Sequence, residues 1–197
     1  MIKVLTIFGT RPEAVKLAPV ILKMQESPGF EPLICVTAQH RELLDQVNQL
    51  FGIKPDIDLD LMRPNQTLSE LTARVFRLLP DRIKQVKPDW VLVQGDTTTV
   101  MAAALTAYYE QVKVGHVEAG LRTFNKWHPF PEEVNRKVAS VVADLHFAPT
   151  EHARENLLAE GVSDSSIAVT GNTIVDALRM VAEKPFSVAL WTFLSPI

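Results

Sequence analysis

The chain has 197 residues, 47% hydrophobic and 22% charged, with a formal net charge of −3. That length builds a core without staples, and the lack of a basic excess argues against a nucleic-acid partner. The single Cys35 excludes a disulfide within the chain and reads as a buried thiol in a reducing compartment; Met1-Ile-Lys-Val-Leu5 enters an apolar run with no secretory pattern, so no membrane segment and a cytoplasmic location are expected.

Short apolar runs rich in β-branched residues alternate with helical patterns along the whole chain. This alternation predicts an α/β fold: a doubly wound, mostly parallel sheet with helices on both faces. Strands are expected at 2–8, 32–37, 57–61, 90–94, 113–117, 145–148 and 167–170. Helices are expected at 11–26, 40–51, 67–86, 98–111, 132–143, 151–160 and 173–183. Pro80 should kink the third helix or split it in two, and Gly52 is placed to stop the second. Residues 1–183 then form one Rossmann-like domain, followed by an apolar tail, 184–197.

In an open parallel sheet, ligands bind beyond the carboxyl ends of the strands. The first polar cluster at such an end is Gly9-Thr-Arg-Pro-Glu13. Thr10 and Glu13 have the spacing of a capping box, which is a purely structural role. Arg11 opposes the helix dipole unless an anion lies between them, so it reads as a phosphate or carboxylate ligand, with a surface ion pair as the rival reading. Lys16, one turn further, either supports Arg11 or is simply solvated.

The second cluster is Gly95-Asp-Thr-Thr-Thr99. Asp96 or Thr97 can cap the following helix, yet a carboxylate at a strand end is equally placed for proton transfer or for holding a sugar hydroxyl. In the third cluster, His116 and Glu118 alternate about Val117, which would put both on one face of a central strand. Uncompensated burial there is costly, so acid/base work or hydroxyl recognition is expected. Arg122 adds a cation after the turn at Gly120. No matching ligand group stands nearby, so no metal is expected.

The loop that follows enters a helix at Pro131, with Glu132 and Glu133 in a first turn where the dipole favours carboxylates anyway. Asn135 and Arg136 can face the same cleft. Gln39 and His40 form a weaker fourth group, with the start of a solvated helix as its alternative.

The phrases Phe8-Gly-Thr-Arg-Pro-Glu13, Thr37-Ala-Gln-His-Arg41, Gly95-Asp-Thr-Thr-Thr99, Gly115-His-Val-Glu-Ala-Gly-Leu-Arg-Thr123, Pro131-Glu-Glu-Val-Asn-Arg136 and Val169-Thr-Gly-Asn-Thr-Ile-Val-Asp176 together resemble the non-hydrolysing UDP-N-acetylglucosamine 2-epimerases. The match runs in order through residues 1 to about 183. The resemblance implies the N-terminal half of a two-domain fold of the glycosyltransferase-B type, with the active site in the interdomain cleft and a homodimer in the intact family. It implies interconversion of UDP-N-acetylglucosamine and UDP-N-acetylmannosamine by elimination of UDP to a 2-acetamidoglucal and re-addition, without a cofactor. By the same resemblance Asp96, Glu118 and Glu132 are the acid/base candidates. Arg11 and Lys16 would meet the phosphates or position the sugar, with Glu13, Gln39, His40, Thr97, His116, Arg122 and Arg136 as further substrate-site residues.

The chain departs from that pattern at Pro185-Phe-Ser-Val-Ala-Leu-Trp-Thr-Phe-Leu-Ser-Pro-Ile197, which has no charged residue and is too short for a membrane span. The expectation is a truncated or frame-shifted reading of a longer gene, lacking the second nucleotide-binding domain and weak or inactive alone. A glycosyltransferase of similar architecture, or a non-catalytic module that binds sugar or pairs with a full-length subunit, are the alternatives. A nicotinamide enzyme is disfavoured, because the first strand-helix turn lacks Gly-x-Gly-x-x-Gly.

Overall fold

The computed structural model describes residues 1–38 and 41–184, with only the backbone of Arg41 and Glu42. The expectations placed on Gln39, His40 and the tail 185–197 lie outside the described residues. In chain order the elements are β1 (Ile2–Phe8), α1 (Arg11–Glu26), β2 (Phe30–Val36), α2 (Arg41–Phe51), β3 (Ile57–Asp58), α3 (Leu68–Val86), β4 (Trp90–Gln94), α4 (Thr98–Tyr109), β5 (Lys113–Val117), α5 (Glu132–Val142), β6 (Leu145–Ala148), α6 (Glu151–Ala159), a short 3₁₀ turn, β7 (Ile167–Val169) and α7 (Ile174–Ala182).

The strands form one sheet in the order β3-β2-β1-β4-β5-β6-β7, and every pairing is parallel. The chain direction across the sheet reverses between β1 and β4, which opens a crevice beyond their carboxyl ends. Alternation along β1 divides the core: Leu5 and Ile7 pack with α3 and α4, whereas Val4 and Phe8 pack with α1 and α2. Both faces are apolar because helices lie over both, as the continuous apolar runs of the sequence require.

Three aspartates lock the register at the amino ends of the strands. Asp89 donates its N–H to Lys3 O (2.9 Å) and accepts from Lys3 N through Oδ2 (2.7 Å). Asp56 treats Ile34 in the same way (2.9 and 2.9 Å), and Asp144 treats Val114 (2.8 and 2.8 Å). Each lies one residue before β4, β3 or β6, so its carboxylate extends the ladder by one acceptor where the strand has not yet begun.

Of the two outcomes expected of Pro80 the split is excluded, because α3 runs unbroken from Leu68 to Val86. Its missing N–H costs one helical bond, but Leu71, Val75, Leu79 and Ile83 hold a continuous buried stripe against the sheet across that point. The third strand is Ile57–Asp58 rather than 57–61: Leu59 and Leu61 still donate to Val36 O and Thr37 O (2.9 Å each), but Asp60 has φ +46° and breaks the extended run. Gly52 closes α2 as expected. At φ +71° its N–H bonds Gln49 O (3.2 Å) while Ile53 N–H bonds Asn48 O (2.8 Å), the paired bonds of a Schellman stop.

Candidate active site

The rim of the crevice is built from the loops after β1, β4 and β5 and the first turn of α5. Glu13, 2% exposed, ties the first two together. Its Oε2 accepts from Gly9 N (3.0 Å) and Thr10 N (2.7 Å), and its Oε1 accepts from Thr97 Oγ1 (2.8 Å). The capping role is therefore real, and the side chain does more than cap: it joins the β1 loop to the β4 loop. Burial raises its carboxyl above the usual range, against the pull of those hydrogen bonds. Thr97 also caps α4 through Val100 N (3.2 Å).

Glu118 follows β5 with φ +64°. Lys16 Nζ donates to both of its oxygens (2.7 and 2.6 Å), Asn172 Nδ2 donates to Oε1 (3.0 Å), and Gln94 Nε2 donates to Oε2. Three separate segments, α1, β4 and the loop before α7, thus converge on one carboxylate. Here the expectation that His116 and Glu118 share a face is overturned. His116 lies on the side of Val114, which packs with α3 and α4, and its charged surroundings include Arg136 of α5. Glu118 instead meets α1 and Gln94, the latter on the Leu92 side of β4. The left-handed backbone at Glu118 ends the pleat, so period-two alternation no longer applies there.

His116 is fully buried, and its Nε2–H donates to Gly95 O (2.7 Å). Burial lowers its pKa to about 4, so the ring is neutral near pH 7. Its role in this geometry is to hold the backbone of Gly95, at φ +82°, immediately before Asp96.

Asp96 is ion-paired with Arg136, and its carbonyl accepts from Asn135 Nδ2 (2.9 Å). Arg136 also reaches Glu133 Oε2 (3.3 Å), and the buried Glu133 accepts from Thr123 N (3.1 Å) and Phe124 N (2.9 Å). The first turn of α5 therefore anchors both the β4 loop and the loop 123–131. Glu132 is partly buried, and its Oε2 has no partner among the described residues. Arg11, at the first position of α1, is exposed and likewise unpaired among the described residues.

Arg122 does not join this group. Its side chain is 0% exposed and is spent on Glu160, with Nη2 to Oε2 at 2.7 Å and Nε to Oε1 at 2.9 Å, and on Ser140 Oγ (3.1 Å). This pair lowers the Glu160 carboxyl. Gln94 and Asn172 escaped the sequence reading, and Glu133 was read only as a first-turn carboxylate. Gln94 did leave a signal, as the one polar residue closing the apolar run of β4; Asn172 left none beyond its place in a phrase that carries the resemblance. Among the described residues, no group of three or more His, Cys, Asp or Glu is placed to hold a metal ion.

A family model described as UDP-N-acetylglucosamine 2-epimerase matches residues 22–189. The chain belongs to this epimerase family. It is 54% identical over 182 residues to the UDP-N-acetylglucosamine 2-epimerase of Neisseria meningitidis, covering 92% of this chain and 49% of that protein. To the Bacillus subtilis enzyme of the same name it is 53% identical over 186 residues, covering 94% and 49%. The crystal structure of the Neisseria epimerase bound to UDP-GlcNAc superposes with a TM-score of 0.89 at 55% identity, over 92% of this chain and 48% of that one. The chain spans about half the length of the curated relatives it matches. A lipopolysaccharide outer core galactosyltransferase, 16% identical with a TM-score of 0.56, shares the fold alone. The architecture is accordingly a Rossmann-like parallel α/β sheet of the glycosyltransferase-B kind, shared with solved epimerases over about half of their length.

Proposed function

We propose that this chain is the N-terminal half of a UDP-N-acetylglucosamine 2-epimerase, carrying the acid/base carboxylates and part of the anion site and needing a second domain to grip UDP. The observation that carries this reading is the convergence of Lys16, Gln94 and Asn172 on Glu118 beside the Asp96–Arg136 pair, at the point where the strand order reverses. The Neisseria relative solved with UDP-GlcNAc supports the substrate.

The hydrogen on C2 of the sugar is not acidic enough for simple deprotonation. In the proposed route a carboxylate takes the C2 proton, the bond from C1 to the UDP oxygen breaks, and a C1=C2 double bond forms. UDP then adds back to C1 while a proton is delivered to the other face of C2. Asp96, Glu118 and Glu132 are the acid/base candidates. Glu132 has a buried oxygen without a partner among the described residues, so it can take or give a proton without first breaking an internal bond. Arg11 and Lys16 supply positive charge for the departing diphosphate; Arg11, unpaired among the described residues, lies beside the N–H groups of the α1 terminus. Thr97 and Arg136 complete the proposed substrate surface, whereas His116 and Glu13 shape the loops behind it. The reading extends to a homodimer in the intact protein and to a cytoplasmic location, the latter supported by the lone buried thiol.

The test is to titrate isotope-labelled chain with UDP-N-acetylglucosamine in D2O and follow both partners by NMR. Shifts confined to the loops after β1, β4 and β5 and to the start of α5 are expected, with little or no deuterium appearing at C2. Shifts elsewhere, or transfer of the sugar to an acceptor, would sink the reading. Supplying the missing half from a relative should restore exchange at C2, and Glu118→Gln should abolish it.

A further inference from the structure

Helix α4 is apolar all the way round. Thr98–Tyr109 holds no charged residue, and a helix of that kind is ordinarily covered on every side. Val100, Ala103 and Ala107 face the core, and Tyr109 leans on Phe76 of α3 with 6.4 Å between ring centres. Met101 and Leu105 are only half-buried, however, and Tyr108 is 58% exposed. Spaced i, i+4 and i+7, these three form one stripe along the helix. Its neighbour α5 repeats the pattern with Val134, Val138 and Val141, the last 85% exposed. Asn135 reaches Asp96 O (2.9 Å) on one flank of α5 and Lys137 reaches Glu160 (3.4 Å) on the other, so the three valines face outward between them. By contrast α3, on the same face of the sheet, turns Arg77, Asp81, Arg82 and Lys84 to solvent, as a surface helix does.

The two stripes lie side by side and are bordered by charges that already have partners, Lys84–Glu110 (3.3 Å) on the α3 side and Lys137–Glu160 on the α6 side. At about 18 Å long and about 20 Å across, the patch has the scale of the apolar centre of an interface of about 800 Å² per partner, with a polar rim around it. A second copy of the chain is the occupant that fits. A two-fold axis sets a surface against itself, which brings like charges together wherever charge is present; the stripes carry none. A second domain that closes on the crevice would meet the rim loops, whereas both stripes run away from the rim, from the first turns of α4 and α5 to Tyr108 and Val141 at their far ends.

We propose that the homodimer read above, on which this pairing rests, is formed by α4 and α5 packing against the same helices of a second copy across a two-fold axis. Sedimentation of the full chain tests it. Tyr108→Asp combined with Val141→Asp changes two exposed side chains outside the rim. In a chain that circular dichroism shows to be folded, the change should weaken self-association by about tenfold or more. The chain carrying Tyr108→Lys and Val141→Lys should behave alike, and an equimolar mixture of the two should recover the dimer, which a folding defect would not do. Leu178→Asp on α7, at a side chain 63% exposed on the opposite face of the sheet, should leave association unchanged. A parent chain that stays monomeric would overturn the pairing together with the homodimer reading. A dimer that tolerates both charged pairs, or that only Leu178→Asp breaks, would overturn the pairing alone. Protection of Tyr108 and Val141 in a monomer, seen only when the missing half is supplied from a relative, would overturn it in favour of that half.

Discussion

Lys16 Nζ lies 2.7 and 2.6 Å from the two oxygens of Glu118, a residue 102 positions away in the chain. The pair bridges α1 and the end of β5 across the reversal point of the sheet, and both side chains are largely buried (24% and 11% exposed). Removing one partner strands the other in a poorly hydrated place. Lys16→Met should therefore cost about 1–3 kcal/mol in urea unfolding. The double variant with Glu118→Gln should recover part of that loss, and strictly additive costs would show the two side chains to be uncoupled.

His116 makes stability depend on pH. An unfolded histidine binds a proton below about 6.5, whereas the buried ring resists until about 4. Its contribution is thus fully present above about pH 6.5 and is lost as pH falls toward 4, by about 3 kcal/mol at most. Glu13 has the opposite sign: its carboxyl is raised by burial, so protonation at low pH favours the folded state. Unfolding of His116→Asn at pH 7 and pH 5 should show a smaller acid loss than the parent, and Glu13→Gln a larger one.

Arg122 is expected to matter for stability rather than for ligand. Its buried ion pair with Glu160 holds the β5–α5 loop against the end of α6. Arg122→Met should cost about 3 kcal/mol and leave UDP-N-acetylglucosamine shifts at the rim unchanged in the protein that remains folded. Loss of those shifts with stability intact would return Arg122 to the binding surface.

The aspartate clamps predict a graded series. Asp144→Ala removes the acceptor for Val114 N, and about 1–2 kcal/mol should be lost. Asp144→Asn keeps a neutral acceptor and should lose less. Hydrogen exchange at Val114 reports the bond directly, and unchanged protection in the alanine variant would show that the carboxylate contributes nothing to the register.

Much of this was legible without coordinates. Apolar runs and their polar ends are local properties, so most strand and helix spans, the Gly52 stop and the Thr10–Glu13 spacing could be read along the chain, while the early end of β3 at Asp58 could not. The strand-end clusters at Gly9, Gly95 and His116 were legible for the same reason, because a parallel sheet sends every such end to one rim. Which of a kink or a split Pro80 would bring was not legible, because the buried stripe that carries α3 through it is set by packing.

What the tertiary structure alone decided is which charged group meets which. Lys16, Gln94 and Asn172 are far apart in sequence, and nothing local says that they share Glu118. Likewise nothing local pairs Arg122 with Glu160 while leaving Arg11 without a partner among the described residues. Pairing of charges depends on distance and burial, which fold topology sets. The face on which Glu118 lies turned on a single positive φ, and two residues on Gly120 passes so close to α6 that a Cβ there would come within 2.2 Å of Ala153 O. The amino-acid order by itself determined the α/β layering and the rim; the third dimension determined the circuitry on that rim.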